Sequence, residues 1–344
     1  MGGDREAAAL DAAALGNIAS VLGVAPAEVG DVWPLKQGLT NDSWHFATPE
    51  GEYVYRAPGI GTEDLIDREA EVAALIVARE LGLDGTFVHE DAKAGWKVSR
   101  FIPNARTLDA RDGTQVARAM RMARTLHASG AQVGRSFDFF QEGKRYEGLL
   151  REVSDPHAVP GYDELSVKAA RVAAFARADG APVCLTHNDF FELNILIDGD
   201  DRMHLIDWEY AGMSDYAHDF GTFCVCCRLS EDEAASALRA YFGRVPTERE
   251  RCHNFAYVAL AGWCWYVWSL YKAALGGDVV EWREVYLTYA ERYLDPVIAG
   301  YEALEARVGE GHDAAGRGGA TCGDAGRDDA ACGGAACALE EAIA

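Results

Sequence analysis

The stretch from Cys184 to Tyr210, CLTHNDFFELNILIDGDDRMHLIDWEY, limits what this chain can fold into more than any other part of it. Cys184 to Thr186 forms an apolar lead-in, and His187, Asn188 and Asp189 open a loop. The run from Asn194 to Ile197 reads as a short strand, Asp198-Gly-Asp-Asp as a turn, and Met203 to Ile206 as the returning strand. Asp207 stands at its end.

A hairpin of this kind brings Asp189, Asn194 and Asp207 toward one spot. A carboxylate at a loop start can take a proton from an incoming hydroxyl. An amide oxygen and a second carboxylate suit magnesium, which takes hard oxygen ligands and keeps waters. A base, a metal clamp and positioned phosphates are the parts of phosphoryl transfer. Asp-x4-Asn alone is a common pattern in ordinary turns. Its weight here comes from the histidine two residues before the Asp, the apolar strand after the Asn, and Ile-Asp-Trp-Glu after a short turn.

The stretch resembles the phosphotransferase motif shared by aminoglycoside phosphotransferases and choline/ethanolamine kinases. Ile-Asp-Trp-Glu-Tyr-Ala is most similar to the choline kinase version. The resemblance implies Asp189 as catalytic base and Asn194 and Asp207 as ligands of Mg2+, with ATP as co-substrate. Protein kinases carry a comparable loop and metal-binding Asp. Here Trp208 replaces Phe-Gly after Asp207 and no Ala-Pro-Glu follows, which favours a small-molecule acceptor.

Composition bounds the rest. A length of 344 residues and a hydrophobic content of 49% suffice for two lobes with cores. No run is apolar enough to span a membrane; the richest, Val258 to Leu275, is interrupted by Gly262, Ser269 and Lys272. No basic segment followed by an apolar core marks a signal peptide. Nine cysteines, several in apolar runs, fit reduced thiols in the cytoplasm. The net charge of −23 disfavours a nucleic-acid partner and suits a cationic small molecule, although acidic surfaces also simply aid solubility. Oligomeric state is left open.

In chain order, Met1 to Val24 reads as one or two short helices. Val32 to Lys36, Ser43 to Ala47, Tyr53 to Ala57, Thr86 to His89 and Trp96 to Arg100 read as a five-stranded antiparallel sheet. A glycine-containing turn between the first two strands can lay backbone amides over phosphates. Gly-Leu-Thr-Asn is similar to the nucleotide loop of choline kinases, which implies Gly38, Thr40 and Asn41 near the phosphates. By the same resemblance Arg56, ending the third strand, takes the place of the kinase lysine. Its planar fork of donors suits phosphate and carboxylate oxygens. A helix starting at Thr62 places Leu65, Glu69, Val72, Ala73 and Ile76 on one side, so Glu69 is the expected partner of Arg56, with Glu71 the second choice. Phe101-Ile-Pro-Asn-Ala is a linker, and the resemblance implies that it meets adenine.

Beyond it the chain turns helical: 113–129, 137–153, 163–177, 249–274 and 278–308. His127 reads as a packing or capping residue and Asp219 as a structural one. Cys224, Cys226 and Cys227 read as buried small hydrophobes rather than zinc ligands. Trp265 and Trp268 share a helix face, either as core or as an aromatic box for a quaternary ammonium group. Trp-x-x-Trp-Ser is similar to the choline-site tryptophans of choline kinases. Glu209 and Tyr210 would add a carboxylate and a ring, and Tyr286 and Tyr289 a further wall. Where choline kinases often carry an acid, this chain has Val225 and Cys226.

The expected architecture is therefore α+β and bilobal, protein-kinase-like. Residues 1–101 form a nucleotide-binding lobe with the five-stranded sheet and a helix. Residues 102–308 form a mostly helical catalytic and substrate-binding lobe, and 309–344 a disordered Gly/Ala/Asp-rich tail. The expected reaction is transfer of the ATP γ-phosphate to the hydroxyl of choline or ethanolamine. An aminoglycoside, thiamine or amino-sugar acceptor, or a non-catalytic pseudokinase, stands as the alternative.

Overall fold

Residue periodicity decides how the first third of the chain is layered. The computed structural model describes residues 10–35, 41–58 and 67–317. Helix α1 (Ala12–Leu22) is capped by Asp11, whose carboxylate accepts from Ala14 N at 2.7 Å, and it stops at the left-handed Gly23. Strands β1 (Gly30–Pro34), β2 (Asn41–Thr48) and β3 (Gly51–Pro58) follow. Then come helix α2 (Arg68–Glu80) and strands β4 (Phe87–Glu90) and β5 (Lys97–Arg100). The sheet is five-stranded and antiparallel, as the sequence predicts, and its strand order is β1-β2-β3-β5-β4.

Successive strand residues face opposite sides. Tyr53, Tyr55, Phe46 and Val98 meet Ala14 and Ile18 of α1 in one apolar cluster. Arg56 and its cross-strand partner Lys97 therefore face the other way, toward α2. The expected start of α2 at Thr62 lies outside the described residues. Among those described, the N-cap is Asp67, which accepts from Ala70 N at 3.0 Å.

The phase of α2 corrects the sequence reading. Its buried stripe is Glu71, Ala74, Leu75 and Ala78, whereas Glu69 and Ile76 are exposed. Small alanines let the helix lie close to the sheet, while Ile76, one of the aliphatics that had set the expected phase, turns outward.

The remainder begins with strand β6 (Arg106–Thr107) and helices α3 (Gly113–His127), α4 (Phe139–Val153) and α5 (Tyr162–Ala178). Strands β7 (Val183–Thr186), β8 (Ile195–Ile197), β9 (Met203–Leu205) and β10 (Gly212–Asp215) follow. Helices α6 (Ala217–Cys226), α7 (Glu231–Phe242), α8 (Glu248–Ala274) and α9 (Val280–Arg317) complete the described chain. Strands β8 and β9 form the expected hairpin, with β6 added beside β8. Strand β10, which sequence patterning did not separate from the helix after it, pairs antiparallel with β7. Residues 309–317 continue the α9 backbone rather than starting a tail, in keeping with the high helix propensity of the Ala- and Glu-rich run before them. Residues 318–344 lie outside the described residues.

Helix α8 is the axis of the helical part, buried at every residue from Cys252 to Ser269. Two glycines bring its neighbours in. A Cβ on Gly143 of α4 would fall 2.2 Å from the Trp263 ring, and one on Gly221 of α6 would fall 2.4 Å from the Tyr257 carbonyl oxygen. Ring atoms can shift a little; the Tyr257 backbone cannot without moving α8. Gly221→Ala should therefore cost about 1–3 kcal/mol of stability by overpacking. Urea unfolding measures this, and an unchanged midpoint would show that α6 and α8 are not in backbone contact.

Candidate active site

The site begins where β7 runs out. Asn188 takes a left-handed conformation with φ 66°, which breaks the strand and turns Asp189 toward the cleft. Its side chain is fixed on every side. Thr186 Oγ1 and Ser214 Oγ donate to Asn188 Oδ1 at 3.0 and 3.2 Å, while Asn188 Nδ2 donates to the Tyr210 carbonyl at 2.9 Å. Asp219, in the first turn of α6, accepts from the backbone amides of His187 and Asn188 at 3.1 and 2.7 Å. That is the structural role read from the sequence. His127 Nε2 also bonds Asp219 at 2.9 Å and His127 Nδ1 meets the Tyr241 hydroxyl at 2.8 Å, so the histidine is a strut. Burial opposes the Asp219 charge, but His127 and the backbone donors hold its carboxyl below the ordinary range.

The same loop locates Asp207. His187, kept neutral by burial, donates from Nε2 to the Ile206 carbonyl at 3.0 Å and lies edge-on to Trp208. The Trp208 indole N–H donates to the Leu205 carbonyl at 2.9 Å. Between these anchors Asp207 is left-handed, φ 67°, a strained conformation for a residue with a Cβ. Its side chain is 38% exposed and lines the cleft.

Asp189, Asn194 and Asp207 do come together at that cleft. Asn194 Nδ2 donates to the carbonyl and the carboxylate of Asp189 at 2.9 and 2.8 Å, fixing both side chains. Burial, reinforced by the nearby Asp207 charge, raises the Asp189 carboxyl to about 7. A carboxylate in that range can accept a proton near neutral pH. With its nitrogen spent on Asp189, Asn194 has its amide oxygen left for a cation. Only one Asp207 oxygen is engaged by Arg56. Amide and carboxylate oxygens are the donor set magnesium takes, so these residues fit the metal.

Arg56 sits among four carboxylates. Its Nη2 donates to Glu71 Oε1 at 2.6 Å and its Nη1 to Asp207 Oδ1 at 3.0 Å, with Glu90 at 3.7 Å and Glu209 at 3.8 Å. The helix partner is thus Glu71 and not Glu69, because only the Glu71 face of α2 is turned to the sheet. Gly38 and Thr40 lie outside the described residues, and Asn41 is the first residue of β2.

The opposite wall is aromatic. The cleft has a volume of about 690 Å³ and includes Glu209, Tyr210, Trp265, Trp268 and Tyr286, all anticipated from sequence. Trp265 stands perpendicular to Trp268 with centroids 6.2 Å apart, and edge-on to Tyr210 at 5.5 Å. Tyr289 is not among the cleft residues; its hydroxyl donates to the Leu229 carbonyl at 2.6 Å. Sequence reasoning missed Trp282, which stacks on Tyr286 at 5.7 Å and lines the same cleft. Its position four residues before Tyr286 was the available signal. Cys226 also lines the cleft, and burial drives its thiol well above the ordinary range, as it does for Cys224 and Cys227.

The sequence model of the phosphotransferase enzyme family matches residues 31–255. The protein LicA of Haemophilus influenzae is 27% identical over 282 residues, which cover 78% of each chain. The crystal structure of the choline kinase LicA from Streptococcus pneumoniae superposes with a TM-score of 0.68 at 25% identity, covering 84% of this chain and 97% of that one. A choline/ethanolamine kinase family protein from Mesorhizobium loti gives a TM-score of 0.68 at 28% identity, covering 84% and 98%. The kinase-like α+β expectation is met.

The raised Asp189 carboxyl has a stability consequence. Its folded value of about 7 exceeds the ordinary 3.8, so ionising it costs stability as pH rises between those values, and the cost is complete above pH 7. In metal-free buffer at pH 8, Asp189→Asn should raise the thermal midpoint, and at pH 4 it should not. Calorimetry at both values checks this; an equal or lower midpoint at pH 8 would contradict it.

Proposed function

Since the chain belongs to the phosphotransferase enzyme family and is an ATP-dependent enzyme with an alcohol acceptor, we propose that its acceptor is choline and its product phosphocholine. One observation carries the reading. The carboxylate suited to act as base, Asp189, opens onto the same cleft as Trp265, Trp268, Tyr210 and Tyr286, with Glu209 beside them. Aromatic faces attract a quaternary ammonium ion through their quadrupole, by about 0.5–2 kcal/mol per ring. A trimethylammonium group has no N–H to give a carboxylate, so rings suit it better than an acid-lined pocket.

In this reading the aromatic wall holds the ammonium end, and the short chain of choline carries its hydroxyl to Asp189. Asp189 takes the hydroxyl proton as the oxygen attacks the γ-phosphorus and the bond to the β-phosphate oxygen breaks. Asn194 keeps the carboxylate aimed through its amide N–H. Arg56 provides donors to the phosphate oxygens. Asn194 and Asp207 would hold magnesium, which neutralises phosphate charge when bound. Gly38, Thr40 and Asn41 would lie along the phosphates, and Phe101 to Ala105 beside the adenine. Alignment and preset charge supply most of the acceleration.

The test is ADP release with ATP and magnesium against choline, ethanolamine, thiamine and kanamycin. Choline-dependent release is expected, and it should vanish in Asp189→Ala. Preference for another acceptor would keep the catalytic residues and overturn the choline assignment. Trp265→Ala should raise the KM for choline by about tenfold, the loss of roughly 1–2 kcal/mol of cation–π attraction, and leave the KM for ATP unchanged. An unchanged choline KM would return Trp265 to a core role.

A further inference from the structure

We propose that Lys97 is a positioning residue for the nucleotide: it acts through Glu71 and frees Arg56 to turn from its carboxylates to the phosphates. The proposal rests on the phosphotransferase reading but not on the identity of the acceptor.

Lys97 lies directly opposite Arg56 on one side and Glu90 on the other, so three charged side chains form a row across β3, β5 and β4 on the face toward α2. All are buried, and the Glu71 side chain above them is completely so. Lys97 Nζ donates to Glu71 Oε1 at 3.0 Å, the same oxygen that Arg56 Nη2 contacts at 2.6 Å. Among the described residues, Glu71 Oε2 receives no donor, nor does either oxygen of Glu90. Burial, followed by the adjacent Glu71 charge, raises the Glu90 carboxyl, and in its protonated form Glu90 can donate to Glu71. Glu71 stays ionised, because Lys97 and Arg56 together outweigh its burial.

Two cations on one carboxylate oxygen are one more than is needed to hold it. Arg56 donates from both Nη atoms to carboxylates, and its buried Nε has no acceptor among the described residues. To reach a phosphate it must loosen one of these contacts. Were Glu71 held by Arg56 alone, that movement would leave a buried, uncompensated charge, a strongly destabilising state. Lys97 removes the penalty. It keeps Glu71 charged and α2 anchored to the sheet while the guanidinium shifts. The Arg56–Glu71 pair alone does not explain a second buried cation in the row.

Direct titration of ATP by calorimetry, with and without magnesium, tests this without any acceptor. Lys97→Met should weaken ATP binding by about tenfold and leave the acceptor KM unchanged, and Lys97→Arg should restore most of the loss. In a Glu71→Gln background, where no charge needs compensation, Lys97→Met should cause no further loss. That charge-balanced double variant also answers the case in which Lys97→Met alone does not fold. Unaltered ATP affinity in Lys97→Met, or the same loss in both backgrounds, would overturn the proposal. A wild-type chain that binds no ATP would overturn the phosphotransferase reading itself.

Discussion

The carboxylate of Asp219 is the interaction on which the rest of the site depends. It is buried, it is ionised, and it accepts from two consecutive backbone amides at the end of β7. A carboxylate bound to backbone donors is held by charge-assisted bonds, stronger than neutral ones. Its other partner, His127, reaches Tyr241, so α3, α6 and α7 converge on one loop. The left-handed Asn188 is tolerable because these bonds over-determine it. Asp189 inherits its direction from that residue, and His187 passes the constraint to Asp207. A single anion thus sets both ends of the catalytic hairpin.

The two walls of the cleft follow opposite electrostatic rules. On the sheet side, charges are numerous and paired, and Arg56 alone meets four carboxylates. On the helical side, Tyr210, Trp265, Trp268, Trp282 and Tyr286 are grouped together, with Glu209, Asp278 and Glu281 among them. Lys272 lies 5.9 Å from the Trp268 ring and Arg228 5.3 Å from the Trp282 ring, so the protein's own cations already use these aromatics. A ligand that is cationic at one end and an alcohol at the other matches the order in which these surfaces meet. In the proposed reading the alcohol would lie by the base and the cation by the rings.

Much of this was legible in the chain, for identifiable reasons. Asp189, Asn194 and Asp207 are close in sequence and joined by short turns, so spacing alone constrains their geometry. Asp219 was legible because a helix-start aspartate after a loop has few other uses. Glu71 was misjudged in favour of Glu69 because the alanines of α2 carry little phase information. Local patterning cannot show which side of such a helix meets the sheet; only packing decides. Trp282 was missed because it belongs to the site through the approach of α9 to the hairpin, a distance set by the whole helical stack. Asn188 was passed over because two of its three side-chain bonds go to Tyr210 and Ser214, residues brought near by the pairing of β7 with β10.

The spacing of α8 and α9 has a wider consequence. A Cβ on Gly262 would lie 2.8 Å from the Ala290 amide nitrogen and 3.0 Å from the Tyr286 carbonyl oxygen. The two helices meet there main chain to main chain, so the gap between them is fixed without reference to side-chain size. Trp265 and Trp268 stand about one and two turns beyond that contact on α8, and Tyr286 stands at it on α9. Under the proposed function, exchange of these rings would suit the cleft to a different alcohol while the frame keeps its dimensions. Acceptor choice would then be a property of a few replaceable side chains rather than of the fold, leaving the cleft adaptable and the scaffold conservative.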